Sequence, residues 1–329
     1  MRNLLTDVAG IAVGHATDPV LGSGVTAIVF DRPATAAVCV LGGAPGGRDT
    51  GLLAPEMTVE AVDAIVLSGG SAFGLDAAGG VQAALREMGR GYAIRDARVP
   101  IVPQAIIFDL LNGGNKDWGR FSPYRELGYA AALACVEGGE VALGSVGGGT
   151  GATTAVVKGG VGSASAQTAA GHVVGALAIV NAVGSPLIGT GPWFWAAPFE
   201  QGAEFGGLGW PARIDTALRL KGGPGTSTTI GLVATDAALS KAQAHRLAVM
   251  GHDGLARAIL PAHAPLDGDT IFAAATGRRP LGDAVAELTA LGFAATLVMA
   301  RAIARGVHAA TALSVFGGQA SWADRFGAT

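Results

Sequence analysis

Thr228 opens a run of strand-forming residues directly after a Gly/Pro loop, in the stretch Gly222-Gly223-Pro224-Gly225-Thr226-Ser227-Thr228-Thr229-Ile230. If the bond before such a Thr is cut, one residue carries both a nucleophilic hydroxyl and an α-amine able to serve as its base. The ordinary reading is a loop entering a strand, because Thr is common in strands and Gly, Pro and Ser crowd loops. Taken alone, the segment favours that ordinary reading. A second candidate is Asp267-Gly268-Asp269, two carboxylates two positions apart in a turn before a strand. In solvent this is an Asp-Gly turn. Buried, both carboxylates would face one site, accept hydrogen bonds from a Thr hydroxyl or amine, and have their proton affinities driven apart.

Other constellations carry less. Residues 147–153, Gly-Gly-Gly-Thr-Gly-Ala-Thr, partly resemble the phosphate-holding glycine loop of tubulin-like GTPases. A further glycine is missing at Thr153 and no partner motif for guanine or Mg²⁺ follows. Lys158 follows a valine and so closes no Walker loop. A phosphate-binding protein without catalysis stays open as the alternative from another class. Ser71 lies in a strand, turn and helix context without the Gly-x-Ser-x-Gly elbow, which suggests a helix cap. A Ser/His hydrolase using one of the six histidines is a further alternative. Those histidines show no metal-ligand spacing and no neighbouring Cys, so no metal or organic cofactor is expected.

The elements that must position these residues are legible in part. Residues 8–41 read as a meander, with β-rich runs at 25–30 and 36–41. Residues 64–67 read as a buried strand, 68–74 as a tight turn and 75–89 as a helix ended by glycine. Further helices are expected at 124–137, 240–260, with Lys241 and His245 on its polar side, and 284–312. Strands are expected at 173–180, ending at Asn181, and at 230–234 and 271–275. The stretch 185–225 shows no sustained period and reads as a long loop. Loops of that length inside a compact chain are usually functional.

With 329 residues, 50% hydrophobic and 14% charged, the chain can bury a large α/β core. A net charge of −3 supplies no field for nucleic acid or anionic lipid, which points to a small or peptide-like partner. Two cysteines, Cys39 and Cys135, both in apolar surroundings, fit a reducing compartment rather than a disulfide framework. No signal-peptide pattern and no uninterrupted apolar span is evident, so a cytoplasmic chain with no membrane partner is expected.

Several motifs taken in order resemble the DmpA-like aminopeptidase family, which includes L-aminopeptidase/D-esterases, β-peptidyl aminopeptidases and the endo-type nylon-oligomer hydrolase. They are residues 6–15 (Thr-Asp-Val-Ala-Gly-Ile-Ala-Val-Gly-His), 42–46 (Gly-Gly-Ala-Pro-Gly), 67–75 (Leu-Ser-Gly-Gly-Ser-Ala-Phe-Gly-Leu), the 147–152 loop, and Thr228-Thr229-Ile230-Gly231 before Ala234-Thr235-Asp236. The resemblance covers nearly the whole chain. It implies a single αββα four-layer sandwich, similar to N-terminal-nucleophile hydrolases, over residues 1–329. It also implies a precursor cut between Ser227 and Thr228 into an α chain, 1–227, and a β chain, 228–329.

By the same resemblance, Lys158, Asn181, Asp267 and Asp269 accompany the Thr228 nucleophile. The Thr228 α-amine would be the general base, tuned by Lys158 and the two carboxylates, and Asn181 would donate to the oxyanion. Phe108, Ser71, Gly149 and Thr150 would line the substrate pocket. Ser227 stands where the family often has Asn, and Phe108 where the nylon-oligomer branch has Tyr, which removes a hydroxyl. The implied activity is release of N-terminal residues from short peptides, amides or esters by a homotetramer. Endo-hydrolysis of synthetic amide oligomers is the alternative within the family.

Overall fold

The computed structural model describes residues 1–222, 227–314 and 318–327. Residues 223–226 of the Gly/Pro loop therefore lie outside the described residues. The organising element is β2 (Ser23–Val40), 18 residues long. The two runs read from the sequence at 25–30 and 36–41 are one strand, separated by exposed Asp31, Arg32 and Pro33. Its first half pairs with β1 (Ile11–Asp18) and β4 (Ala61–Ser68), and its second half with β11 (Thr270–Arg279). The register with β4 shifts between Val29 and Ala34, and such an irregularity bends a strand and raises its twist. β2 thereby passes from one sheet layer into the other.

Hydrogen bonding runs through nine strands in the order β3 (Gly47–Arg48), β7 (Gln104–Ile106), β4, β2, β11, β10 (Thr228–Ala237), β9 (Val173–Asn181) and β8 (Val161–Gln167), with β1 on β2. A separate exposed hairpin joins β5 (Tyr92–Ile94) to β6 (Ala97–Val99). Alternate side chains of a strand face opposite sides, and here they sort into three cores. Ile230, Leu232 and Ala234 of β10 pack with Leu177 and Ile179 of β9 and Phe272 of β11 against Ile28, Ile65 and Leu67 of the other layer. The opposite set, Val233, Val174, Ala176, Ile271 and Ala273, packs under α4 (Lys241–Ala258) and α5 (Ala284–His308). Val25, Ala27, Ala64 and Val66 pack under α2 (Ala77–Glu87) and α3 (Tyr124–Glu137). Helices, sheet, sheet, helices is the expected αββα sandwich. The short helix α1 (Ser71–Gly74) lies outside these cores, whereas α6 (Trp322–Phe326) adds Trp322 and Phe326 to the core under α4 and α5.

Besides the continuity of β2, the strand β8 and the surroundings of Lys241 differ from the sequence reading, whereas the helix expected at 284–312 is present as α5. β8 was not legible, because Val-Gly-Ser-Ala-Ser-Ala-Gln lacks bulky strand formers. Its small residues admit α5: a Cβ on Gly162 would come within 1.8 Å of the Ala302 carbonyl oxygen. Lys241 is not on a solvated face. It is buried, and its Nζ donates to the carbonyls of Leu52 and Met57 at 3.1 and 2.8 Å, while His245 is half-buried with Nδ1 3.0 Å from the Val38 carbonyl. Finally, α5 is long and apolar enough to cross a membrane by length and composition alone. Most of its apolar window is buried against α4, β8 and β9, which makes it a core helix of this fold.

Candidate active site

Thr228 is the first residue of β10, and the antiparallel register places it directly opposite Asn181, the last residue of β9. Thr228 shares a parity with Ile230 and Leu232, and Asn181 with Leu177 and Ile179, so both side chains enter at the rim of the space between the sheets. Thr228 is 4% exposed. Its Oγ1 donates a short hydrogen bond to the Ser227 carbonyl, the group it would attack in self-cleavage. Ser227 forms a parallel bridge with Asp267.

The Asp-Gly-Asp turn is buried, with Asp267 and Asp269 each 1% exposed, so it is not a solvated turn. Gly268 lies against Thr228: a Cβ there would come within 2.6 Å of Thr228 Oγ1. Asp269 Oδ1 accepts from the Thr229 backbone N–H at 2.8 Å. Its Oδ2 accepts from the His263 N–H at 2.9 Å and lies 2.8 Å from His263 Nδ1. The 42–46 motif holds this turn from outside. Leu41 and Gly42 donate to the Asp269 carbonyl, Ala44 to that of Asp267, and Gly42 has no room for a Cβ, which would meet Asp269 N at 2.3 Å. Burial, reinforced by the Asp269 charge, raises the proton affinity of Asp267.

Two lysines border the pair of strand ends, Lys221 half-buried and Lys158 fully buried. Lys221 Nζ donates to Asn181 Oδ1 at 2.7 Å, and burial brings its pKa down to about 7 against the pull of Asp109 and Asp267. Lys158, 1% exposed, donates to the carbonyls of Gly149 and Gly159 at 3.1 and 2.9 Å. Burial lowers it likewise to about 7. Asn181 Oδ1 also accepts from the Thr153 N–H at 3.0 Å and from Asn112 at 3.3 Å, while its Nδ2 donates to the Phe108 carbonyl at 3.0 Å. Behind Phe108, fully buried Asp109 accepts from Ser23 Oγ at 2.6 Å and the Gly70 N–H at 2.8 Å. Burial raises its proton affinity.

The structure thus brings together Thr228, Ser227, Asn181, Asp267 and Asp269. Lys158 joins the electrostatics through its buried amine beside Lys221 and Asp109. The proposed pocket residues fare differently. Phe108 offers its carbonyl to Asn181. Gly149 and Thr150 are buried and committed, Gly149 to Lys158 and Thr150 Oγ1 to the Gly147 carbonyl at 2.7 Å. Ser71 makes no side-chain cap; it sits at φ +53 with its N–H on the Ile107 carbonyl. A cavity of about 340 Å³ bounded by the Asn181 partners Asn112, Thr153 and Lys221 is lined further by Leu111, Thr154 and Gln319, with Ala155 and Gly222.

The glycine loop also departs from a phosphate cradle. Its N–H groups are already used: Gly147 on Thr17 Oγ1, Gly148 on Thr26 Oγ1, Gly149 on the Val146 carbonyl and Thr150 on that of Gly147. A Cβ on Gly148 would meet Ile179 at 2.5 Å and the Leu67 carbonyl at 2.7 Å, so its glycines serve close packing between the sheets. Among the described residues, no group of three or more His, Cys, Asp or Glu is arranged to hold a metal ion.

Sequence reasoning missed Lys221, His263, Asn112 and Asp109. Lys221 sits inside the aperiodic stretch, and His263 and Asp109 reach the site across loops, so no local spacing marked them. The nearness of His263 to the Asp-Gly-Asp turn in sequence was the one available signal.

The profile of peptidase family S58 matches residues 3–321. An uncharacterized aminopeptidase of Mycobacterium bovis is 44% identical over 335 residues, covering 93% of this chain and 93% of that protein. A 6-aminohexanoate-oligomer endohydrolase of a Kocuria species is 29% identical over 318 residues, covering 91% and 84%. Among solved structures, a Burkholderia beta-aminopeptidase matches with a TM-score of 0.71 at 24% identity, over 98% of this chain and 91% of that one. The L-aminopeptidase D-Ala-esterase/amidase of Ochrobactrum anthropi, described as a variant among the Ntn hydrolase folds, matches with a TM-score of 0.67 at 21% identity, over 95% and 87%. The family match spans both sheet layers and every residue of the site, and the chain belongs to peptidase family S58, the DmpA-like family, as a hydrolase of the Ntn hydrolase fold.

Proposed function

We propose that the chain cleaves itself between Ser227 and Thr228 and then acts as an N-terminal-threonine aminopeptidase on short peptides, amides or esters. The observation that carries this reading is the Thr228 hydroxyl lying on the Ser227 carbonyl, at a strand end opposite Asn181 and above the buried Asp267-Gly268-Asp269 turn. In the first step Oγ1 bonds to the Ser227 carbonyl carbon and the bond from that carbon to the Thr228 nitrogen breaks. The hydroxyl proton ends on the nitrogen, relayed by Asp267, which gives up one proton and regains one. Water then hydrolyses the ester, leaving Ser227 as a carboxylate and Thr228 with a free α-amine.

In turnover the same hydroxyl attacks a substrate carbonyl, with the α-amine as base. An amine with an ordinary pKa near 8 is suited to that role at neutral pH. Asn181 Nδ2, now on the Phe108 carbonyl, is the side-chain donor at the strand end from which an oxyanion would be met; a donor of this kind contributes about 3 kcal/mol in hydrolases. The Mycobacterium bovis relative is called an aminopeptidase and supports release of N-terminal residues over endo-hydrolysis.

The test is turnover of aminoacyl amides compared with a blocked amide oligomer. Thr228→Ala should abolish both activities and Ser71→Ala should leave them within a fewfold. Activity on free-amine substrates alone supports the aminopeptidase, whereas activity on the blocked oligomer assigns the endo-hydrolase. Full activity in Thr228→Ala removes the threonine from the mechanism.

A further inference from the structure

The Asp269 carboxylate is unusually fully used. Two backbone N–H donors and one imidazole nitrogen converge on it: Thr229 N at 2.8 Å on Oδ1, and His263 N at 2.9 Å with His263 Nδ1 at 2.8 Å on Oδ2, a ring nitrogen that donates when the carboxylate it faces is ionised. Donors of this type favour the ionised carboxylate. Asp267 receives a backbone donor from Gly268 at 3.1 Å, and its proton affinity is raised by burial and by the neighbouring Asp269 carboxylate on the same turn. Two carboxyl groups buried on one turn disfavour a double negative charge and so favour holding one proton, and the better-served group is the one left without it.

His263 supplies two of the three donors to Asp269. Its own backbone is in the left-handed region at φ +57, which is uncommon for residues other than glycine and in which Asn and Asp are enriched. That conformation turns its N–H and its ring toward the same carboxylate oxygen. The ring is backed by His252 of α4, with ring centroids 4.9 Å apart, edge to face. His252 Nε2 is 2.9 Å from the Cys39 carbonyl of β2, and burial holds His252 down to about 4, so it brings no charge at neutral pH. The titratable groups facing the pair are then Asp253 of α4, Asp269, Asp267 and, beyond Asp267, Lys221.

We propose that His263 is a positioning residue of this site: it clamps Asp269, and so keeps the one proton of the carboxyl pair on Asp267, whose backbone bridges to that of Ser227. This rests on the Thr228 reading above and deepens it, because that reading needs an acid for the departing Thr228 nitrogen, and the backbone of Asp267 bridges to Ser227 at the same peptide. His263 itself touches neither the scissile bond nor the nucleophile.

The test uses the full-length Thr228→Ala chain labelled with ¹³C at the Asp carboxyl, with signals assigned through Asp267→Asn and Asp269→Asn. His263→Gly removes the ring while relaxing the φ +57 backbone; His263→Asn keeps both that backbone and a side-chain N–H close to the Nδ1 position. The Asp269 titration should move up by roughly one pH unit in His263→Gly, the scale of one lost hydrogen bond to the charged form, and should return toward its original midpoint in His263→Asn. His263→Asp, which replaces the donor by a third acid, should move it further. Midpoints unchanged in His263→Gly, or shifted equally by Gly and Asn, would overturn the proposal. In the Thr228-bearing chains, His263→Gly should shift the acid limb of the self-cleavage rate in the same direction, and a uniform slowing without that shift would assign His263 to loop structure alone. Failure of the Thr228 reading is separable: it would appear as cleavage persisting in Thr228→Ala, whatever the carboxylates do.

Discussion

Thr228 has its chemistry from its place: a hydroxyl on a strand's first residue, buried, with its own preceding carbonyl in hydrogen-bond contact and a glycine directly beneath. That glycine gives a direct prediction. Gly268→Ala would put a methyl 2.6 Å from Thr228 Oγ1 and 3.0 Å from the Ala44 carbonyl, so self-cleavage should slow by at least tenfold, on the order of 1.4 kcal/mol of barrier, as read from the rate of fragment appearance; an unchanged rate would mean the hydroxyl is not held there.

Lys158 gives a second prediction through pH. Its folded pKa lies near 7 and the ordinary lysine value is 10.5. Between those values the unfolded chain binds more protons than the folded one, so this group makes stability rise with pH across that window and adds no slope below it. Wild type should therefore gain on Lys158→Met between pH 7 and 10.5, by up to about 1.4 kcal/mol per pH unit, in urea unfolding with Thr228→Ala as the common background. Parallel stability curves would show Lys158 to be charged in the fold. The residues legible in sequence were those with a local signature, Thr228 after its loop and the Asp-Gly-Asp turn. Lys221, His263 and Asp109 acquire their meaning only from burial beside partners far along the chain, which no spacing encodes.

At the level of elements, β9 and β10 set the register that makes Thr228 and Asn181 face each other, and the end of β2 holds the turn. The alternation of β9, β10 and β11 was readable because each carries apolar residues on both faces, as strands covered on two sides do. The continuity of β2 was not, because Asp31-Arg32-Pro33 reads as a turn and the shift between sheet layers is a tertiary event. Gly42→Ala would bring a Cβ within 2.3 Å of Asp269 N and 2.5 Å of the Asp267 carbonyl, so the variant should lose about 1–3 kcal/mol of stability, as overpacking does, and process slowly.

The long loop is also tied down. Arg301 of α5, 1% exposed, donates to Glu204 at 2.6 and 3.0 Å and to Asn3 at 2.8 Å. Removing one partner of a buried pair leaves the other's charge uncompensated, so Arg301→Ala should cost about 3 kcal/mol by chemical denaturation, softened by Arg305, 3.4 Å from Glu204. A cost below about 1 kcal/mol would place this pair with solvated surface bridges.

For the whole molecule, the proposed cut lies at the start of a central strand. β10 pairs with β9 on one side and β11 on the other, and β11 pairs in turn with β2. The two proposed fragments therefore share all of the inter-sheet core and the core beneath α4 and α5. They should elute together through gel filtration and separate only in denaturant; fragments parting under native conditions would contradict this sheet order. Charge, composition and motif order made the layered α/β class legible, whereas the path by which one sheet folds over the other depends on β2 and on the small residues that let β8 meet α5.

The central claim is that Thr228 is both the cutting point and the nucleophile, and intact-mass measurement of the purified chain under denaturing conditions tests it most directly. Wild type should yield two species whose boundary falls between Ser227 and Thr228, the smaller one beginning Thr-Thr-Ile-Gly, and Thr228→Ala should yield one uncut, inactive chain. A single uncut wild-type chain that hydrolyses amides as well as its Thr228→Ala variant does would contradict the account.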